Sequence, residues 1–435
     1  MGKVLSDIFK GNAFTGDKGI WMIYFFLCLF SLVEVYSASS NLTYTAGHHW
    51  DPMINQAIFL LVGLVVVYLT HLIPCKYFML FPLVALPFSL VLLIYAAFFG
   101  GTVNGANRWI EICGMSVQPS ELGKASLVMF VAVVLAKTQA EVKVRGNNGK
   151  MKVKTGAIKG GHSLAFKVIM LVSIPVCALI FFENFSTAAL LFFTIFLMMW
   201  VGRVPIDLLT KTFLVGVAFV TVLFTMIMVL DEATLSKIPK MHRGITWKHR
   251  IEAMVGSGAD SDSTYSIQDN LQEAHAQIAI ANSNVIGRGP GNSVERDFLP
   301  HAESDFIYSI IVEETGIIGA IFVLFLYVAL VIRAGRIAKK CQRFFPAYLV
   351  IGLATMITLQ ALLNMIVATG LFVTGQPLPL ISRGGSSLLI NCFYIGVILS
   401  VSRYVEMINS PEAMERKDVS TTNETNEYYS QENMD

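Results

Sequence analysis

Ten apolar runs, each close to the length of a membrane-crossing helix, dominate the sequence. A helix needs about 20 mostly apolar residues to cross the hydrocarbon core of a bilayer. The runs cover residues 20–39, 55–73, 77–99, 118–137, 165–182, 187–202, 212–231, 306–332, 346–369 and 387–404. The fifth and sixth runs are short and closely spaced, which predicts a tight helical hairpin. The sequence therefore predicts an all-α polytopic integral membrane protein with about ten transmembrane helices.

The composition excludes several other classes of protein. Charged residues make up 14% of the 435 residues, against about 25% in soluble domains. The net charge is +2, so neither a disordered chain nor a nucleic-acid binder with a basic face is expected.

The distribution of Lys and Arg predicts the orientation in the membrane. With both termini cytoplasmic, 22 of the 32 basic residues fall in inner segments, as the positive-inside rule requires. The predicted parts are a cytoplasmic N-terminus (1–19), a transmembrane domain (20–404) and an acidic, disordered cytoplasmic tail (405–435). The domain includes a basic cytoplasmic loop (138–164) and a large outer loop (232–305) before the eighth span. We expect a multi-pass protein of the cytoplasmic (inner) membrane.

Polar residues gather in three clusters, all on the predicted outer face. The first consists of residues 104–109 and 118–124. Arg108 and Trp109 suit the headgroup layer, where a cation and an amphipathic ring both find partners. Lys124 lies one turn inside the fourth span, so it needs an acid three residues earlier, another acid or an anionic ligand.

The second and third clusters come directly before the eighth and tenth spans. Asp305 ends the large loop with an apolar flank, which favours a role as a base; the alternative is that it caps the helix that follows. Residues 374–387 contain two prolines, then paired glycines and serines. Such a segment can wrap a phosphate or a sugar, or it can be a re-entrant turn that packs helices.

Three acids lie inside predicted spans. Glu34 is in the first span, and Glu313 and Glu314 are in the eighth. Acids at this depth usually face the bundle interior and pair with cations or hydroxyls, and a proton or ion path is the alternative.

These clusters, in this order, resemble the SEDS (FtsW/RodA/SpoVE) family. The matching pieces are NGANRWI at 104–110, QPSELGK at 118–124, an Arg-containing segment at 247–250, Gln272 leading into AIANSNVIGRGPGNS at 279–293, LPHAESDFIYSIIVEETGIIGA at 299–320, and TGQPLPLISRGGSS at 374–387. The resemblance runs from the first span to the last, and RGPGNSVERDFLP is most similar to the division branch.

The resemblance implies a peptidoglycan glycosyltransferase that polymerises lipid II, an undecaprenyl-diphosphate-linked precursor, at the outer face of the membrane during cell division. It implies that Asp305 is the essential acidic residue and is catalytic. The substrate-binding candidates are Arg108, Trp109, Gln118, Ser120, Glu121, Lys124, Arg250, Gln272, Ser382, Gly384, Gly385 and Ser386. Implied partners are a cognate class B penicillin-binding transpeptidase and divisome proteins at the septum. The alternatives are a flippase of the lipid-linked precursor and an elongation (RodA-like) polymerase.

The expected chemistry assigns roles to a few charges. Asp305 would take the proton of the attacking sugar hydroxyl, and Arg108, Lys124 and Arg250 would stabilise the departing diphosphate. A divalent cation, Mg²⁺ or Mn²⁺, is a further candidate for that task.

The chain departs from the family pattern at three places. Asn184 stands in a hairpin where the family has a Pro-Asp-Gly-Thr run. His301 and Glu303 stand where the family has Glu and His, so acid and His are exchanged. Arg383 replaces a Tyr, and it is a candidate for a phosphate contact of its own.

Overall fold

The computed structural model describes residues 14–39, 50–99, 101–103, 106–112, 115–145, 151–157, 161–230, 248, 264–299, 302–370 and 375–409. These residues form eleven α-helices: α1 Lys18–Ala38, α2 Asp51–Leu72, α3 Phe81–Phe99, α4 Pro119–Thr138, α5 Gly161–Glu183, α6 Phe185–Val201, α7 Ile206–Val229, α8 Thr264–Ala281, α9 Ile307–Lys340, α10 Phe344–Ala368 and α11 Gly385–Ile408. The strands are β1 Gly101–Val103, β2 Ala106–Ile112, β3 Met115–Val117, β4 Gln139–Arg145 and β5 Met151–Ala157.

The helices confirm the predicted polytopic architecture. Of the described helices, nine are long and apolar enough to cross a membrane, and α6 is apolar but shorter. Helices α5 and α6 form the predicted tight hairpin around Asn184, whose side chain accepts a hydrogen bond from the Thr187 backbone N–H at 3.2 Å. The remaining helix, α8, lies in the large loop before α9.

Two small antiparallel sheets were not predicted. Strands β1, β2 and β3 form one sheet between α3 and α4, and β4 pairs with β5 between α4 and α5. Their registers place Ile110 opposite Val117 and Gln139 opposite Ala157. The all-α class holds for the spans, because both sheets lie in the connections between helices.

Helices α4, α10 and α11 form the most buried part of the bundle, whereas α7 is almost wholly exposed. Helices α2 and α11 approach each other closely because both present glycines. A Cβ added to Gly63 would lie 2.6 Å from the Cys392 Sγ, and one added to Gly396 would lie 2.7 Å from the Thr70 Cβ. Small residues that allow such contact are typical of helix pairs in membranes.

Helix α9 breaks at Gly316, whose φ of 70° and ψ of −171° are not helical. The carbonyls of Glu313 and Glu314 accept hydrogen bonds from the backbone N–H groups of Arg288 and Gly289, at 3.1 and 2.8 Å. Beyond the break, two N–H groups of α9 donate to carbonyls at positions 284 and 285. The loop thus replaces bonds that the broken helix has lost, as backbone at membrane depth requires.

The side chains of the two acids hold the same loop, residues 284–299, which we call the clamp segment. Glu314 accepts bonds from the backbone N–H groups of Gly291 and Ser293, at 3.0 and 3.2 Å, and from the Ser37 hydroxyl of α1. Glu313 accepts from the Val294 N–H at 3.1 Å and from the Ser293 hydroxyl. Both acids are fully buried, which confirms that they face the interior and bind hydroxyls.

Glu34 differs from these two acids. It is 1% exposed, so it also faces the interior as predicted. Its Oε2 atom has no hydrogen-bond partner among the described residues.

We predict that Gly316→Ala destabilises the protein. A Cβ at this position would lie 2.4 Å from the carbonyl oxygen of Val285, and the positive φ adds strain for any L side chain. The strain alone costs about 1–3 kcal/mol, so the apparent Tm in detergent should fall markedly.

The matched control is Gly216→Ala in α7, where an added Cβ meets nothing within 4 Å. Alanine favours a helix over glycine by about 1 kcal/mol, so this variant should keep the Tm or raise it. Equal melting temperatures for Gly316→Ala and the unaltered protein would contradict the close packing of the clamp segment against Gly316.

Candidate functional site

Asp305 lies in a turn at the end of the bundle where α4, α9 and α11 begin, which we call the site end. The side chain is partly exposed. Helix α9 starts after it, with Phe306 at the N-cap position and no side-chain cap. Asp305 thus lies one residue before the N-cap position, and its role, as a base or as a residue that only supports the helix start, stays a prediction.

Neighbouring elements fix the backbone of this turn through three hydrogen bonds. The Asn364 amide of α10 donates to the Asp305 carbonyl at 2.9 Å. The Ser382 hydroxyl donates to the Ser304 carbonyl at 2.6 Å, and the Arg383 N–H donates to the Glu303 carbonyl at 2.9 Å. Since α10 and the segment before α11 both hold the turn, the position of Asp305 depends on both.

Residues 375–382 form a mostly buried, non-helical segment between α10 and α11. Side chains from the surrounding helices satisfy its carbonyls: Ser31 binds that of Ile381 at 2.8 Å, and the Tyr327 hydroxyl binds that of Pro379. These contacts fit a re-entrant turn that packs helices, one of the two predicted alternatives. Ser382 belongs to this turn and is buried.

The Gly-Gly-Ser-Ser stretch that follows, residues 384–387, forms the start of α11. Gly384 is the N-cap residue, and Gly384, Gly385 and Ser386 are all partly exposed. A Cβ on Gly385 would lie 3.2 Å from the Phe59 ring, so glycine permits this close approach. The N-terminus of a helix offers free N–H groups that suit an anion, so the phosphate alternative stays a prediction for these three residues.

The start of α4 carries a buried ion pair. Lys124 is 0% exposed; its Nζ donates to the Glu121 Oε1 at 2.8 Å and to the Gln360 Oε1 of α10 at 3.2 Å. The predicted need for an acid three residues earlier is confirmed. The pair joins α4 to α10 inside the bundle.

The three clusters therefore meet at the site end. The Gln360 amide also donates to the Pro377 carbonyl at 3.4 Å, which connects Lys124 to the re-entrant turn. The Gln118 N–H donates to the Ser386 hydroxyl at 3.3 Å, which connects the start of α4 to that of α11.

Other predicted site residues lie further out or beyond the described residues. Ser120 is buried in the first turn of α4, Trp109 is partly buried in β2, and Gln272 is partly buried on α8. The backbone of Arg108 is in β2. Arg250 lies outside the described residues, as does the acidic tail beyond position 409.

Two of the three departures from the family pattern lie next to each other. The Arg383 Nη1 is 3.9 Å from the Glu303 Oε1, in addition to the backbone bond between the same residues. The new acid and the new base thus form an ion pair two residues from Asp305. His301 lies outside the described residues.

Sequence reasoning missed Gln360 and Asn364 of α10. They lie four residues apart in an otherwise apolar span, a spacing that puts both on one helix face. Amides at membrane depth are costly unless they bind partners, so their presence was the available signal.

A metal ion finds no obvious ligand set in this region. No group of three or more His, Cys, Asp or Glu residues within the described ranges is arranged to hold one. Since Mg²⁺ is commonly held by one or two carboxylates together with substrate phosphates, the candidate Mg²⁺ or Mn²⁺ stays a prediction, and we derive no step through it.

Fold and site together define a polytopic α-helical membrane protein with a polar site at one end of its bundle. Residues 18–407 match the FtsW/RodA/SpoVE family of cell cycle proteins. The chain belongs to this family.

Individual relatives agree with this assignment. A "Probable peptidoglycan glycosyltransferase FtsW" of Coxiella burnetii is 30% identical over 91% of this chain and 99% of its own length. The protein of the same name from Trichlorobacter lovleyi is 32% identical over 86% of this chain and 90% of its own. Their names confirm the predicted resemblance to the division branch.

A solved structure supports the fold alone. A chain from the work "Structural coordination of polymerization and crosslinking by a peptidoglycan synthase complex" has a TM-score of 0.65 and 22% identity, covering 90% of this chain and 98% of that one.

We predict that Lys124→Met destabilises the protein by about 3–5 kcal/mol, because it leaves the buried Glu121 carboxylate unpaired. The double variant Lys124→Met/Glu121→Gln should recover most of this loss, since no buried charge remains. Thermal unfolding in detergent measures both. If the double variant were less stable than Lys124→Met by the full cost of the Glu121→Gln change, the two side chains would not be stabilising each other.

Proposed function

We propose that the protein is a peptidoglycan glycosyltransferase that polymerises lipid II at the outer face of the cytoplasmic membrane during cell division. Membership of the family and the names of the relatives support this. The structural observation that carries it is the Asp305 turn: a partly exposed carboxylate whose backbone is fixed from α10 and from the re-entrant turn.

In the proposed reaction a sugar C4 hydroxyl attacks the anomeric carbon of a second precursor, with inversion. Asp305 accepts the hydroxyl proton as general base. The bond to the lipid diphosphate breaks, and its electron pair goes to the leaving group. Substrates that are both anchored in the membrane meet at its surface, so alignment supplies much of the rate.

The departing diphosphate needs positive charge. Arg108 and Arg250 are proposed to bind it, because a guanidinium can grip phosphate oxygens with two parallel hydrogen bonds. Lys124 is proposed to contribute a fixed charge from inside the bundle, where Glu121 and Gln360 hold it. The exposed start of α11, with Gly384, Gly385 and Ser386, is a further proposed contact.

The remaining predicted residues are proposed to act around these groups. Trp109 and Gln272 would line the approach of the headgroup, and Gln118, Ser120 and Ser382 would hold the backbone around it. We further propose the orientation with both termini cytoplasmic, a class B penicillin-binding transpeptidase and divisome proteins as partners, and a location at the septum.

Two other functions compete with this one. A flippase would use acids at depth, but Glu313 and Glu314 are bound to the clamp segment. An elongation polymerase would use the same chemistry, so only localisation of the tagged protein in growing cells separates it from the proposed one.

We predict that Asp305→Asn abolishes polymerisation, with a loss of at least about 100-fold, because the amide cannot accept the proton. The assay uses the purified full-length chain with its transpeptidase partner and lipid II in detergent, and it measures glycan strand length. Detergent micelles have no two sides, so a flippase would give no product there.

The matched control is Asp297→Asn, which removes a carboxylate that is 48% exposed and close in sequence. It should leave strand synthesis unchanged. Normal glycan synthesis by Asp305→Asn would refute the assignment of the base, and no synthesis by the unaltered protein would refute the function.

A further inference from the structure

Asn364 makes two hydrogen bonds through one nitrogen atom. Its Nδ2 donates to the Asp305 carbonyl at 2.9 Å and to the Gln376 carbonyl at 2.7 Å. The side chain is 0% exposed. Both partners are acceptors, so only the NH₂ end of the amide can face them, and the orientation of the side chain is determined.

The two carbonyls belong to segments that are far apart in the sequence. One is in the turn before α9, and the other begins the re-entrant turn before α11. Neither segment is helical, so these two carbonyls lack the partner that a helix would give them and need another donor. A single amide on α10 provides a donor to each and fixes their separation.

Neighbouring elements also hold helix α10 close to Asn364. Gln360, one turn away on the same face, binds Lys124 of α4 and the Pro377 carbonyl. The Ser309 hydroxyl of α9 donates to the Ala368 carbonyl at 3.2 Å. Asn364 therefore lies on a part of α10 that neighbouring elements hold from both sides.

From this arrangement we infer that Asn364 is a positioning residue for Asp305. Its NH₂ group holds the backbone of the proposed general base against the re-entrant turn, so the carboxylate points at the incoming hydroxyl. This role rests on the proposed function. Misplacement of a catalytic group by 1 Å can cost about 100-fold in rate, so loss of the amide should reduce kcat much more than it changes KM.

The decisive variant is Asn364→Asp, which keeps the shape and replaces the NH₂ group by oxygen. A buried carboxyl group that faces two carbonyl oxygens resists ionisation, so the charged form, which would repel both carbonyls, predominates only at the alkaline end of the pH profile. At lower pH the neutral acid has one O–H donor and can restore one of the two bonds. The charged groups around it are Asp305 and Glu303 of the turn, Arg383 beside them, and the Lys124–Glu121 pair beyond Gln360.

The test measures kcat and KM for lipid II against pH, for the full-length chain with its partner. For Asn364→Asp we expect kcat to fall about 100-fold at the alkaline end of the pH profile, with KM changed by less than about threefold. The ratio of its kcat to that of the unaltered protein should rise as the pH falls. Asn364→Leu, which is similar in size and cannot donate, should show an equally low ratio at every pH.

Thr358→Val is the matched control. Thr358 is also on α10 and buried, and its hydroxyl donates to the Tyr327 carbonyl at 3.1 Å, away from the turn. It should keep kcat and the pH profile, while its Tm reports the general cost of losing a buried hydrogen bond in this helix.

Two outcomes would overturn the inference. One is normal kcat in Asn364→Asp at the alkaline end of the pH profile. The other is a low but pH-independent ratio for both Asn364 variants, because a general loss of structure would give that result. Failure of the proposed function is distinguishable, since the unaltered protein would then make no glycan at all.

Discussion

Every backbone polar group at membrane depth must find a hydrogen-bond partner inside the protein, and the site depends on how this chain meets that demand. The chain leaves helical geometry at two places near the site end. At Gly316 the clamp segment supplies the missing partners. In the re-entrant turn, side chains such as Ser31, Tyr327 and Asn364 do so. The re-entrant turn also binds the turn that contains Asp305, through Ser382 and Arg383, so the segment that these side chains make tolerable also positions the site.

The same need for hydrogen-bond partners explains the surroundings of the buried charged side chains. Buried carboxylates are costly unless donors surround them, and Glu313 and Glu314 each accept several bonds from the clamp segment. Glu121 is neutralised by Lys124 within its own helix turn. These acids act as structural acceptors and leave Asp305, at the surface, as the proposed reactive carboxylate.

The sequence was sufficient for the parts of the fold that depend on composition and short spacing. Apolar runs predicted the spans, and the three-residue spacing of Glu121 and Lys124 predicted their pairing. The break in α9 could not be predicted, because Gly316 lies within an apolar helical pattern and its conformation depends on a loop that packs against it. The contacts of Asn364 could not be predicted for a similar reason, because its partners come from two segments that only the fold brings together.

The ion pair of Arg383 with Glu303 extends this reasoning to the family pattern. Relative to the family pattern, the acid moves from position 301 to position 303 and a positive charge is added at Arg383, and each change would alter the field at the proposed base. A lone acid would oppose ionisation of Asp305, and a lone base would favour it. In the structure the two charges are 3.9 Å apart and largely cancel. The guanidinium that this chain adds at Arg383 thus lies beside the displaced acid, and neither residue can be understood without the other.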